Sequence, residues 1–292
     1  MKEIVTVFTP TYNRRSTLIR LYNSLCMQTN NMFRWLIVDD GSTDNTESLV
    51  QEWINDKKVN IKYFKQKNEG KSMAHNKGVE NTDTELFVCV DSDDCLVPDA
   101  IEKIVKTWEK VKQKKYIGIV AYKGTYDGEN ISKCKFEIES STLIDAYRKY
   151  GFKGDSMLVY KTALLKKYCF PHFTGEKFVP ESYLYDKLDQ EGKLYFIHKV
   201  LYLCEYLQDG YTNNMRMVIK NNPRGYIEYI NQRIAFDKSV FYICADSIRY
   251  IAVAKCNKAS NKEIVTNAVY PLITTILLPL GVFYFHKLYK SL

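Results

Sequence analysis

The first 115 residues alternate between short apolar runs and segments of about ten residues with helical spacing. The runs at 4–8, 34–38, 61–64 and 85–90 are rich in Val, Ile, Phe and Leu. Between them come a helix carrying Leu18, Leu21 and Leu25, with Ser16 or Thr17 as its cap, a second at 46–53, and a third that follows a turn at 68–72 and runs through Ala74 and Val79. Strand, helix, strand, helix in this order implies right-handed crossovers and a mostly parallel sheet flanked by helices, an α/β fold. Polar motifs follow the first, second and fourth runs, at 9–14, 39–44 and 91–94. In such a sheet these strand ends open onto one crevice, the usual place for a ligand.

Asp91-Ser92-Asp93-Asp94 ends the fourth run. Carboxylates this close repel one another unless a positive group sits among them. Hard oxygen ligands suit Mg2+ or Mn2+, ions that commonly complete their coordination with substrate phosphates. The residues therefore predict a divalent cation holding a nucleotide diphosphate. A solvated acidic turn before the helix at Pro98 is the simpler alternative.

At 292 residues the chain is long enough for one large α/β domain and an appendage. A 46% apolar and 26% charged composition is that of a globular protein. The net charge of +8 comes from dispersed lysines. It suits a small polyanion or an anionic membrane face, and an acidic crevice without a nucleic-acid motif argues against nucleic acid. The eight cysteines form no Cys-x-x-Cys pair and the four histidines show no zinc spacing, so reduced thiols in a cytoplasmic protein are expected. Met1-Lys2-Glu3-Ile4-Val5 enters the first strand directly, which points away from a signal peptide.

Further on, the pattern predicts a helix over 98–115, a strand over 116–122 and a polar excursion over 123–140. A strand at 156–160, a short helix at 162–167, a loop at 173–181 and a helix at 181–190 follow. Residues 194–206 read as two short strands, and 222–250 as one helical region opened by Pro223. Residues 268–285 carry no charge but contain Pro271, Pro279 and Gly281, and His286, Lys287 and Lys290 come after them. A span needs about 20 apolar residues, so these 18 are borderline; a kinked hairpin or a helix lying in the membrane interface is the expectation, with a true span or a buried core helix as the alternatives.

Thr9-Pro10-Thr11-Tyr12-Asn13-Arg14, Val38-Asp39-Asp40-Gly41-Ser42-Thr43-Asp44, Asn68-Glu69-Gly70-Lys71 with Ala74 and Asn76, and the acidic quartet resemble, in order and spacing, the family 2 glycosyltransferases. The match covers about residues 3–115, weakens from 116 to 205 and says little beyond. The resemblance implies a GT-A fold over 1–215, with a nucleotide-binding half at 1–115, an acceptor half at 116–215 and a helical extension at 216–292. It implies a nucleotide-sugar donor, UDP-linked by preference, a divalent metal and inversion at the anomeric carbon.

On this basis Pro10 and Tyr12 are expected beside the base, with the Tyr12 ring as a stacking face. Arg14 serves as a cation for phosphate or a neighbouring acid. Asp39 accepts from base or ribose, and Asp40 either joins it or holds Arg14 or the turn. Asp44 caps a helix, Lys71 supplies charge for phosphate or uracil oxygen, and Asn76 is structural. Asp91 faces the ribose, Asp93 binds Mn2+ or Mg2+, and Asp94 meets donor-sugar hydroxyls or closes the loop. Inversion also needs a base opposite the leaving group. The Glu-Asp pair that many members carry is absent; Glu181 is the candidate and Asp186 the reserve. The implied acceptor is a glycan or lipid-linked saccharide for cell-surface polysaccharide at the inner membrane face. A sugar nucleotidyltransferase is disfavoured because no glycine follows strand one. A non-catalytic nucleotide-sugar binder is disfavoured by the retained acids at 39, 91, 93 and 181.

Overall fold

A computed structural model describes residues 2–205 and 211–290, and divides the chain into two compact units. The first unit comprises Met1–Cys169 and Leu184–Glu205, the second Phe170–Tyr183 and Tyr206–Leu292. The boundary expected near residue 215 thus lies earlier, and the loop at 170–183 belongs to the second unit.

The first unit begins with β1 (Val5–Thr11), α1 (Arg15–Cys26), β2 (Phe33–Asp39), α2 (Thr46–Asp56), β3 (Ile61–Lys65), α3 (Lys71–Glu80) and β4 (Leu86–Cys89). It continues through β5 (Cys95–Leu96), α4 (Ala100–Val111), β6 (Tyr116–Gly124), β7 (Ser140–Ser141), α5 (Leu143–Lys149), β8 (Ser156–Lys161) and α6 (Thr162–Leu165). Helix α7 (Ser182–Leu188) straddles the division, and β9 (Lys193–Leu203) closes the unit. Among the described residues the sheet order is β3-β2-β1-β4-β8-β6-β9-β5, with β7 on β9. The first four strands are parallel, β8 runs against both β4 and β6, and β6 is parallel to β9. The sheet is therefore mixed beyond the nucleotide-binding half. Because β4 and β6 run the same way, Val90–Asp94 and the ends of β6 and β9 share one edge with the ends of β1–β3.

Central parallel strands are covered on both faces, so they read as unbroken apolar runs. β1 is buried along its whole length and continues through Pro10, which pairs with Val38. Proline does not end the strand here. Trp35 is fully buried, donates to Thr9 Oγ1 (2.9 Å) and lies in an aromatic stack with Tyr22 and Trp53. α4 buries Ile101, Ile104, Val105, Trp108 and Val111, the spacing of one helical face. It is shorter than expected at both ends.

β9 is one strand, not two. The polar His198-Lys199 lies inside it, where the register against β6 shifts between Ala121 and Tyr122. A bulge of this kind breaks the alternation that sequence reading relies on. α5 and the two-residue β5 and β7 are unforeseen; strands that short carry no period.

The second unit contains α8 (Tyr211–Asn221), α9 (Pro223–Phe236), α10 (Val240–Cys256), α11 (Asn261–Thr266) and α12 (Pro271–Leu288). The helical region expected over 222–250 is broken at Asp237, whose extended backbone lets Oδ1 accept from Ser239 N (2.9 Å). Glu176 accepts from the backbone N–H of Arg224 and Gly225, anchoring the 170–183 loop to the start of α9. α12 is a continuous helix despite Pro279. Thr274 and Gly281 are its buried residues, and a Cβ at Gly281 would meet Ile251 of α10 at 2.4 Å.

Gly78 makes an equally close approach in the first unit: a Cβ there would lie 2.4 Å from the buried Phe8 ring. Gly78→Ala should destabilise the fold by about 1–3 kcal/mol, the usual cost of overpacking a core. The urea midpoint at constant m-value checks this, and an unchanged midpoint would show that Phe8 has room to move.

Candidate active site

The loops after β1 and β2 are laced together by backbone geometry. Asp40 N donates to Thr11 O (2.8 Å), Asn13 N to Ser42 Oγ (2.9 Å), Thr43 N to Asn13 Oδ1 (2.8 Å), and Arg15 N to Asp44 Oδ2 (2.9 Å). Asn13 adopts a left-handed conformation (φ 51°), which Asn tolerates better than most residues. Asp44 also accepts from Thr46, so it serves the first turns of both α1 and α2. Burial raises its carboxyl, but the bonds from Thr46 and Arg15 outweigh this and hold it below the usual range. Tyr12 projects from this ledge, half exposed, with a ring face available for stacking. Pro10 is buried within β1, and Arg14 stands, partly buried, at the N-cap of α1.

Asp39 and Asp40 part company. Asp39 is fully buried; Oδ1 accepts from Ser42 N (2.6 Å) and Oδ2 from the Tyr63 hydroxyl (2.7 Å). Each oxygen has capacity for one more donor. Burial, followed by this bond to Asp39, pushes the Tyr63 hydroxyl well up. Asp40 takes the turn-holding option: it accepts from Gln66 Nε2 (2.8 Å), Glu69 N (2.9 Å) and Gly70 N (2.8 Å). Gly41 permits this bend with φ +87°.

Gly70 is the N-cap of α3, so Asp40 fixes where that helix starts. Lys71, its first residue, reaches Asp91 Oδ1 at 2.6 Å. Burial raises the Asp91 carboxyl, but the ammonium groups of Lys71 and Lys123 hold it below the ordinary range. Asp94 is buried, and its Oδ2 accepts from the Tyr202 hydroxyl (2.6 Å), which itself accepts from Asp91 N (3.0 Å). Burial and the Asp91 charge push the Asp94 carboxyl up to about 7. Lys123 Nζ lies 4.0 Å from the centre of the Tyr202 ring. The Asp93 backbone carbonyl accepts from Arg20, whose guanidinium lies 4.5 Å over Tyr126. The Asp93 carboxylate makes no hydrogen bond or ion pair among the described residues and is partly exposed.

Thus six of the expected residues, Tyr12, Asp39, Lys71, Asp91, Asp93 and Asp94, gather at one sheet edge. Tyr202, Lys123, Arg20, Asn13 and Tyr63 join them unforeseen. Glu181 is exposed and belongs to the second unit. Asp186 is buried in α7; the Tyr160 hydroxyl is raised by its burial first and then by the charges of Asp189 and Asp186 nearby. Tyr160 stands opposite Phe87, towards the start of β4 and away from its acidic end. Asp189 accepts from Leu143 N and Ile144 N (2.8 Å each), capping α5. Burial and position fit Asp186 to the core better than to an acceptor.

The sequence profile described as Glycosyl transferase family 2 matches residues 6–170. An uncharacterized glycosyltransferase of Rickettsia conorii is 40% identical over 106 residues, 36% of this chain and 17% of the relative. The chain thus spans well under a fifth of the length of the rickettsial relatives it matches. A GalNAc(5)-diNAcBac-PP-undecaprenol beta-1,3-glucosyltransferase of Campylobacter jejuni is 26% identical over 273 residues, 88% of this chain and 86% of the relative. Among solved structures, S. aureus TarS 1-349 in complex with UDP-GlcNAc matches with a TM-score of 0.62 at 19% identity, covering 98% of this chain and 88% of that one. The mannosyltransferase PcManGT from Pyrobaculum calidifontis, in complex with GDP-Man and Mn2+, matches with a TM-score of 0.58 at 17% identity, covering 100% and 82%. These likenesses bear out the expected GT-A fold.

The raised Asp94 carboxyl has a stability consequence. The folded state holds this proton up to about pH 7, whereas the ordinary value is 3.8. Its stabilising effect is complete below the lower value and is lost as pH rises through the upper one. The difference in urea midpoint between wild type and Asp94→Asn should therefore change steadily between those limits, with wild type losing stability relative to the variant as pH rises. A pH-independent difference would remove Asp94 as the titrating group.

Proposed function

The chain belongs to glycosyl transferase family 2, and we propose that it is an inverting transferase moving a sugar from a UDP-sugar to a lipid-linked or glycan acceptor. The observation that carries this reading is the acidic turn after β4, where the Asp93 carboxylate lies unengaged beside the Lys71–Asp91 pair. Asp91 and Asp94 are already committed, to Lys71 and Tyr202. Mg2+ or Mn2+ commonly needs only one or two protein carboxylates when phosphates and waters supply the rest, so the donor set fits such an ion without a three-acid cluster. Asp93 would hold it, with Asp91 adjoining. When bound, the ion neutralises charge on the departing diphosphate.

The residues divide the remaining work. Tyr12 offers a stacking face to the base, and Asp39, fully buried as it stands, accepts from base or ribose once the Tyr63 hydroxyl yields its place on Oδ2. Lys71 exchanges part of its contact with Asp91 for a donor phosphate, while Asp94 and Tyr202 form one wall for the sugar. A carboxylate base takes the proton of the acceptor hydroxyl as that oxygen bonds to the anomeric carbon, and Glu181 is the residue proposed for that role from the sequence. The bond to the diphosphate breaks, and the electron pair leaves with the nucleotide. UDP is preferred on the likeness to the UDP-GlcNAc complex, and the polyprenol named for the Campylobacter relative supports a lipid-linked acceptor.

The exposed face of α12 supports membrane association, for which the cytoplasmic surface is the side proposed. Leu272, Ile276, Leu280 and Phe283 are 54–75% exposed and recur at spacings of three and four. With the opposite face packed on α10, a helix lying in the interface suits the second unit better than a span.

Asp93→Ala should abolish Mn2+-dependent UDP binding in calorimetry while leaving the unfolding free energy within about 0.5 kcal/mol of wild type, as for surface sites. Retention of the Mn2+ effect would remove Asp93 from the metal. Glu181→Gln should keep donor affinity and lose turnover by about 10²–10⁴-fold; wild-type turnover would assign the base elsewhere.

A further inference from the structure

The second unit contains a cavity of about 390 Å³ that the transfer reaction does not use. Arg216 of α8, Arg249 of α10 and Lys287 of α12 line it, with Tyr226, Tyr284 and Tyr289. Three cations around one hollow repel unless an anion joins them. Asp246 offsets part of this charge, because it pairs with Arg249 at 2.7 Å, but it is shared with Arg233 at 3.0 Å. Arg216 and Lys287 form no ion pair among the described residues, so the cavity keeps a net positive charge.

Its position on the helix gives the anion an apolar companion. Lys287 follows Phe283 by four positions and continues the line of Leu272, Ile276, Leu280 and Phe283. Those side chains would enter the acyl boundary of a bilayer, and the cations at the end of the line would lie at head-group level. Tyrosines concentrate at this level because the ring prefers the apolar side and the hydroxyl the wet side. A phosphate free in solution makes no use of the stripe; a phosphate attached to a hydrocarbon chain uses both features.

We propose that the cavity lined by Arg216, Arg249 and Lys287 binds a lipid-borne phosphate, drawing the second unit to anionic membrane surfaces. The proposal rests on the membrane-association reading of α12 and adds to it a specific head-group site. It makes the second unit a receptor for phosphorylated lipid, the chemical class to which a lipid-linked acceptor also belongs.

The test is co-sedimentation of the full chain with vesicles of phosphatidylcholine alone and of phosphatidylcholine with a fifth of phosphatidylglycerol. Wild type should bind the anionic vesicles about tenfold or more tightly, given the usual contribution of each basic residue near a charged surface. Arg216→Gln/Lys287→Gln should lose that preference yet keep its binding to neutral vesicles, while Leu272→Ser/Phe283→Ser should weaken both. Circular dichroism identifies any variant that fails to fold, and single Lys287→Gln then replaces the double. Equal wild-type binding to both vesicles would overturn the phosphate site alone. Binding to neither would overturn the membrane reading with it. If millimolar inorganic diphosphate binds the lipid-free chain, and does so equally well in Leu272→Ser/Phe283→Ser and in wild type with vesicles absent or present, the cavity is a site for soluble anions and the proposal fails.

Discussion

The candidate site depends on a buried carboxylate that meets no cation among the described residues. Asp40 is almost fully buried, and three neutral N–H donors, from Gln66, Glu69 and Gly70, satisfy it. A buried charge left unsatisfied costs far more than any one hydrogen bond returns. The segment between β3 and α3 therefore has little freedom, and the first turn of α3 is set by the end of β2. Lys71 meets Asp91 because of that constraint. Two motifs far apart in sequence are thus joined through a residue that need not touch a ligand.

The electrostatics at the edge are balanced, not relaxed. Asp91, Asp93 and Asp94 crowd one turn, and Lys71, Lys123 and the Tyr202 hydroxyl answer them. The answer is unequal: Asp91 is held low while Asp94 is pushed up to about 7. Neighbouring groups whose environments drive them apart in this way are frequent at functional sites.

How legible this was follows from sequence distance. The ledge of loops after β1, β2 and β4 was readable because each motif directly follows its own strand, and parallel topology does the rest. Tyr202 was not readable: it lies 111 residues from Asp91, on a strand whose alternation is broken by a bulge. Lys123 looked like the start of a polar loop, yet it is the penultimate residue of β6. Asp186 had the right chemistry on a helix, but the sequence alone carries no sign that this position packs near Tyr160. Pro10 shows the opposite case: it follows the run read as the first strand at 4–8, yet the register of β1 with β2 carries the strand through it.

The loop at 170–183 leaves and re-enters the chain order of the first unit, so the second unit is an insert and a tail combined. Glu176 is made long before Arg224 and Gly225, the residues 48 and 49 positions later whose backbone N–H groups it satisfies. At about 5–20 residues per second on the ribosome, that interval is several seconds. During it the strand β9 is also synthesised, and the first unit gains its last piece while the insert still lacks its helical partner. The order of birth thus interleaves the two units: the insert precedes the last strand of the first unit, and the helices that complete the second unit come only after that strand is made.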